Sequence, residues 1–155
     1  MLRPATAEDL AAIESIVAEA YRPWAELIGV RPKPMDDDYP ARVAASQVTV
    51  LTSDDVVVGL VVLVPEKDAL LVDNVAVRPA HHGQGHGRRL LDFAEERARS
   101  LGLPALRLYT NALMTGNIDR YKRRGYVIVG EIRKDGRHVI FMRKDLGQVT
   151  RSAPA

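Results

Sequence analysis

The chain has 155 residues, 46% of them hydrophobic, which is enough for one folded core and too apolar for a disordered chain. It contains no cysteine, so disulfides, thiolate metal sites and a cysteine nucleophile are excluded. The 22 basic and 20 acidic residues leave a formal net charge of +2, too even a balance to argue by itself for a nucleic-acid partner. The start, Met1-Leu2-Arg3-Pro4-Ala5-Thr6, lacks the apolar run of a signal peptide, and no stretch is long and apolar enough to span a membrane. A cytoplasmic protein is the expectation.

Thr6-Ala7-Glu8-Asp9 has the pattern of a capping box. Leu10, Ile13, Val17 and Ala20 follow at helical spacing, which predicts a helix over 7–20. Residues 21–40 hold Pro23, Pro32, Pro34 and Pro40 and read as irregular. A short helix is expected near Asp37 to Ser46. Val48, Val50 and Leu51 open a strand-rich stretch, and Val56 to Val64 and Ala69 to Val77 read as further strands of an antiparallel meander.

Gly83, Gly85 and Gly87 then crowd together ahead of a helix bearing Leu90, Leu91, Ala94, Ala98 and Leu101, which ends at Gly102. Leu106 to Thr110 reads as a strand parallel to the one before the glycines, because a helix connects them. A helix over 115–124 and a hairpin of Tyr126 to Ile132 with His138 to Met142 complete the order. A single domain is expected over 1–146, with a flexible tail over 147–155.

The chemistry concentrates where a strand meets a glycine loop and a helix start. Glycines let a backbone approach a ligand closely, and the helix N-terminus favours an anion, so a pyrophosphate is the natural guest. The P-loop reading fails, for the loop lacks the Gly-Lys-Ser/Thr ending. The dinucleotide fingerprint fails too, since Arg88 stands where its third glycine belongs. His82 and His86 have a zinc-like spacing, but the intervening glycines argue against a helix there and no third ligand is evident, so no metal is expected.

The spacing of His82-Gly83-Gln84-Gly85-His86-Gly87 resembles the core motif Arg/Gln-x-x-Gly-x-Gly/Ala of the GCN5-related N-acetyltransferase family. The downstream run Asn117-Ile118-Asp119-Arg120-Tyr121, with Gly125-Tyr126 after it, is similar to a second feature of that family. The likeness covers residues 1–144. His82 departs from the usual arginine or glutamine, and His86 from a small aliphatic residue.

The resemblance implies an α/β fold: a mixed, mostly antiparallel sheet, helices on both faces, and a central parallel strand pair that splays apart. It implies acetyl-CoA as cosubstrate, held by Val75, Ala76 and Val77, by His82, Gly83, Gln84, Gly85, His86, Gly87 and Arg88, and by Asn111 and Asn117. Acetyl would pass directly to a primary amine of a small molecule or protein. In this reading Tyr121 protonates the leaving thiolate, since a phenol's ordinary pKa of about 10 lies above a thiol's. Asp73, on the same strand face as Val75 and Val77, either accepts the amine's proton through a water or only attracts a cationic amine. The stretch Tyr21 to Tyr39 would wall the acceptor, with Trp24, Met35 and Asp38 as contacts, and a homodimer is a family-level expectation.

A non-catalytic acyl-CoA-binding or sensor domain is the alternative; it would keep the loop without needing Tyr121 or Asp73. A nucleic-acid partner is not expected: the basic residues from Arg120 to Arg124 suit a solvated helix face, and one tryptophan, five tyrosines and two phenylalanines offer few stacking platforms.

Overall fold

The computed structural model describes residues 1–147. From residue 148 on, the expected tail lies outside the described residues. The strands are β1 (Leu2–Pro4), β2 (Val48–Ser53), β3 (Val56–Pro65), β4 (Leu70–Val77), β5 (Ala105–Asn111), β6 (Val127–Lys134) and β7 (Arg137–Asp145). The helices are α1 (Leu10–Ile28), α2 (Tyr39–Ala44), α3 (His86–Ser100) and α4 (Thr115–Arg123). The seven strands form one sheet in the order β1-β2-β3-β4-β5-β7-β6. β1–β2, β2–β3, β5–β7 and β6–β7 pair antiparallel, while β4–β5 is parallel. This is the mixed, mostly antiparallel α/β fold expected. The parallel register runs from Leu70 opposite Leu106 to Val72 opposite Leu108, and β4 continues from there to Val77.

Two compact units make up the chain. The first comprises Met1–Val64 and Asp73–Phe93. Its core joins Ile13, Ile16 and Val17 of α1, Tyr39 of α2, Val48 and Val50 of β2, Leu60 and Val62 of β3, and Ala76 of β4. Burying each of the aliphatic side chains contributes about 1.5–3 kcal/mol before entropy is charged. Neighbouring strand residues face opposite ways, so Gly59 faces the side away from Leu60. There a Cβ at Gly59 would stand 3.2 Å from Leu90 of α3. Helices therefore cover both faces of these strands.

The second unit comprises Pro65–Val72 and the residues from Ala94 on. Its buried residues include Leu70 and Val72 of β4, Ala94 and Ala98 of α3, Leu106 and Leu108 of β5, and Tyr126 and Met142. Glu95, 10% exposed at its side chain, pairs with Arg124 at 2.8 Å and with Lys144 at 3.1 Å. These pairs fix the turn after α4 against β7.

Three boundaries differ from expectation. The first helix was expected over 7–20; a 3-10 turn occupies Ala7–Asp9, and α1 runs from Leu10 through Pro23 to Ile28. Proline removes one ladder bond, but Trp24 to Ile28 supply good helix formers beyond it. Of the stretch 21–40, read as irregular, residues 21–28 belong to α1 and Lys33–Asp36 form a 3-10 turn. β1 was not anticipated. It has only three residues, too few for a periodic signal, and its proline is tolerated at a sheet edge. The Asp9 carboxylate takes bonds from the Thr6 N–H at 2.8 Å and from the Arg3 guanidinium at 2.8 and 2.9 Å, joining β1 to the start of α1. The Arg3 bonds hold its carboxyl near a pKa of about 2.

Gly59 yields the first prediction. A Cβ there would lie 3.0 Å from the carbonyl oxygen of Ala76, a backbone atom, as well as 3.2 Å from Leu90. Gly59→Ala should destabilise the fold by about 1–3 kcal/mol through overpacking. Urea unfolding should show a lower midpoint at unchanged slope; an unchanged midpoint would contradict this reading.

Candidate active site

In the first unit, β4 alternates strictly. Asn74 and Ala76 are buried, and Asp73, Val75 and Val77 are half-buried on the other face. The strand's exit is fixed twice. The Arg78 N–H donates to the Val58 carbonyl at 2.8 Å, and its guanidinium pairs with Glu19 of α1 at 2.8 Å. A 3-10 turn over Pro79–His81 then delivers the chain to the glycine loop.

Gly83 and Gly85 have φ of +80° and +82°, the left-handed region where a side chain strains the backbone. They let the loop turn directly into α3, whose first ladder bond here runs from the Arg89 N–H to the Gly85 carbonyl at 3.1 Å. Among the described residues, no carbonyl accepts from the N–H groups of Gly83 to Arg88. A Cβ built on Gly83, Gly85 or Gly87 would meet nothing within 4 Å, so the space over the loop is open. Free amides, a helix N-terminus and the exposed Arg88 and Arg89 together fit a pyrophosphate.

The two unusual histidines behave differently. His82 is exposed, and its Nε2–H donates to the Val77 carbonyl at 2.9 Å, which ties the loop to the end of β4. His86 is 8% exposed; its Nε2–H donates to the Gln84 side-chain carbonyl at 3.2 Å, and its Nδ1 is buried without a partner. Burial first, then the neighbouring Arg89 and His81, push the pKa of His86 down, so its ring is neutral at pH 7. Among the described residues, no group of three or more His, Cys, Asp or Glu is arranged to hold a metal ion.

Asp73 pairs with Arg42 of α2 at 3.1 Å, with its own side chain 10% exposed. Arg42 also binds Asp37 at 3.0 Å and the Gln47 side chain at 2.9 Å. Spacing alone had no means of finding Arg42. On the other face of β4, Asn74 is 4% exposed and bonded to Tyr21 and Tyr39. The available signal was one polar residue at a core-facing position of a strand. Asp38, considered earlier as an acceptor contact, caps α2 by accepting from the Ala41 N–H at 3.1 Å. Tyr21 and Trp24 lie within α1, not in a loop.

The second unit holds the remaining candidates. Asn111 ends β5, and its side-chain oxygen accepts from the Leu113 N–H at 2.9 Å, starting the turn into α4. Asn117 and Tyr121 lie one helical turn apart in α4. The Asn117 oxygen accepts from Arg120 at 3.0 Å. The Tyr121 ring meets the buried Tyr126 ring edge-on at 5.7 Å, and the Tyr126 N–H donates to the Tyr121 carbonyl at 3.0 Å. Burial raises the Tyr121 pKa above that of an ordinary phenol, which keeps its proton in place at neutral pH.

Comparison with known proteins gives this geometry its context. An S-alkylcysteine N-acetyltransferase of Bacillus subtilis (strain 168) is 28% identical over 170 residues, spanning 94% of this chain and 89% of that protein. An N-acetyltransferase from Thermoplasma acidophilum, solved in complex with coenzyme A, superposes with a TM-score of 0.77 at 17% identity, covering 94% of this chain and 98% of its own. A ribosomal-protein-alanine N-acetyltransferase from Brucella melitensis superposes at 0.69 with 20% identity, covering 94% and 99%. At these identities the two structures establish the fold alone. The family model described as Acetyltransferase (GNAT) family matches residues 10–126, well over half of the sequence, and the chain belongs to that family.

Proposed function

We propose that this chain transfers acetyl from acetyl-CoA directly to a primary amine of a small molecule or protein, in the cytoplasm. The observation that carries the reading is the run of N–H groups from Gly83 to Arg88, at the start of α3, that meet no carbonyl among the described residues, in a member of an acetyltransferase family. These groups, with Gln84 and Arg88, hold the pyrophosphate. His82 adds a weaker contact: its Nε2–H is committed to Val77, so only a charged ring offers a second donor. His86, neutral and buried, supports Gln84 rather than the anion. The backbone of Val75, Ala76 and Val77 binds the pantetheine arm, and the Val75 N–H polarises the acetyl carbonyl. Asn111 and Asn117 are assigned to the same arm.

Acetyl-CoA supplies an activated acetyl group and a thiolate leaving group. A cationic amine first loses one proton to water; as the neutral nitrogen bonds to the acetyl carbon, the carbon–sulfur bond breaks, the nitrogen sheds a second proton to water and the sulfur gains one. Tyr121 donates the sulfur's proton; its place one helical turn from Asn117 in α4 supports that role, and a phenol is protonated at neutral pH. Asp73, oriented by Arg42, either takes the amine's proton through a water or holds the cationic amine. The relatives named above act on S-alkylcysteine and on a ribosomal protein's alanine, so both acceptor classes merit trial.

The test is a panel of S-methylcysteine, an alanine-ended peptide and a polyamine, each incubated with acetyl-CoA and read by mass. Acetylated product from at least one amine is expected; cofactor binding without turnover of any amine would favour an acyl-CoA-binding domain. Tyr121→Phe should lower kcat roughly a hundredfold while leaving the Kd for acetyl-CoA near wild type; an unchanged kcat would return Tyr121 to a packing role. Asp73→Asn should raise the KM for a cationic amine several-fold at nearly constant kcat. A fall in kcat that deepens at low pH would instead identify Asp73 as the base.

A further inference from the structure

Asn74 occupies a position that an apolar residue would fill at lower cost. It shares a face of β4 with Leu70, Val72 and Ala76 and is 4% exposed. A buried amide is tolerated there only if its donors and acceptor are engaged. Its partners are two phenols from different helices. The Tyr21 hydroxyl of α1 donates to the Asn74 Oδ1 at 2.6 Å. The Asn74 Nδ2 donates to the Tyr39 hydroxyl of α2 at 3.1 Å, and that hydroxyl donates onward to the Pro34 carbonyl at 2.5 Å. The Tyr39 hydroxyl gives its one proton to Pro34, so the amide presents Nδ2 to Tyr39 and Oδ1 to Tyr21, whose hydroxyl also lies 3.4 Å from the Val75 carbonyl. Burial pushes the Tyr39 phenol well above its usual range, so it keeps the proton it donates.

Besides this chain of bonds, Met35 of the anchored segment packs against the core of the first unit, and Arg31 binds Asp36 at 2.9 Å. The 3-10 turn Lys33–Asp36 buries no side chain, and Pro32 and Pro34 have no N–H to donate. Its second tether starts from the neighbouring residue of β4: Asp73 binds Arg42, and Arg42 binds Asp37. Two adjacent residues of one strand thus hold, through Tyr39 and Arg42, Pro34 inside the turn and Asp37 just after it. The carboxylate of that second tether is the one assigned to the acceptor amine. The glycine loop depends on neither tether, since Arg78–Glu19 and His82–Val77 fix it separately.

We propose that Asn74 is a positioning residue for the amine acceptor: through Tyr39 and Pro34 it sets where the segment 33–37 stands relative to Asp73, and so determines acceptor affinity and not cofactor affinity. The inference rests on the acetyl-transfer reading. An ordinary core residue would affect stability and both ligands alike; a positioning residue separates them.

The experiment uses Asn74→Leu, which keeps the branched shape and removes both amide bonds, and Tyr39→Phe, which keeps the buried ring, removes its bonds to Asn74 and Pro34 and leaves the Asn74 bond to Tyr21 in place. The probe is whichever of S-methylcysteine, the alanine-ended peptide and the polyamine the wild type acetylates fastest. Both variants should raise its KM by about fivefold to tenfold, the loss expected from a buried partner left unpaired, with the Kd for acetyl-CoA from calorimetry within twofold of wild type. Should Asn74→Leu fail to fold, Tyr39→Phe alone decides. An unchanged amine KM, or a rise matched by an equal loss of acetyl-CoA affinity, overturns the proposal. A wild type that acetylates none of the three amines overturns the acetyl-transfer reading together with it, whereas an active wild type whose variants keep its KM overturns this proposal only.

Discussion

An anion held by backbone alone needs consecutive N–H groups with no partner of their own, and such groups are costly wherever water cannot reach them. The stretch from Gly83 to Arg88 satisfies this constraint by lying at a helix start, in the open, with left-handed glycines at Gly83 and Gly85 turning the chain. Much of the first unit supports that turn. Gly59 lets β3 approach the Ala76 carbonyl and Leu90, which seats α3 close to the sheet. The Arg78–Glu19 pair and the His82–Val77 bond then fix the chain just ahead of the loop. The loop's amides can be left without carbonyl partners among the described residues because the surroundings hold the chain in place.

A different economy governs the residues around Asp73 and Asn74. The connection between α1 and α2 is rich in proline and charge, and Met35 is its residue packed against the core, so the hydrophobic effect holds it at few points. Directional bonds from β4 replace that effect: an amide on the inner face, and an ion pair through Arg42 on the other. Directional bonds add little net stability but are specific in geometry. That is the property needed where an acceptor has to be placed and not merely enclosed. In the second unit, Glu95 plays a related part, drawing Arg124 and Lys144 together beside the turn that follows Tyr121.

The glycine loop, the parallel pair and the element order were legible in the sequence, because each is written in local spacing: glycines two apart ahead of an apolar helical stripe, and a strand on either side of that helix. The Thr6–Asp9 box was legible for the same reason. The Asn74 network was not. Alternation marks residue 74 as core-facing, but spacing cannot say that a phenol from α1 and another from α2 meet it there. The Asp73–Arg42 pair was hidden for a similar reason, since its partners are 31 positions apart. Pro23 misled in the other direction, its local penalty being outweighed by the helix formers that follow it. The sequence could assign Tyr121 to a helix face; its edge-on packing with Tyr126 emerged only from the fold.

The central claim is that backbone amides at the start of α3 bind the pyrophosphate of acetyl-CoA. The most direct measurement is an amide NMR titration of the protein with acetyl-CoA. The N–H signals of Gly83 to Arg88 should move most, with a common dissociation constant, and desulfo-coenzyme A, which keeps the pyrophosphate, should move the same set. Saturable binding that leaves those signals in place would contradict the account.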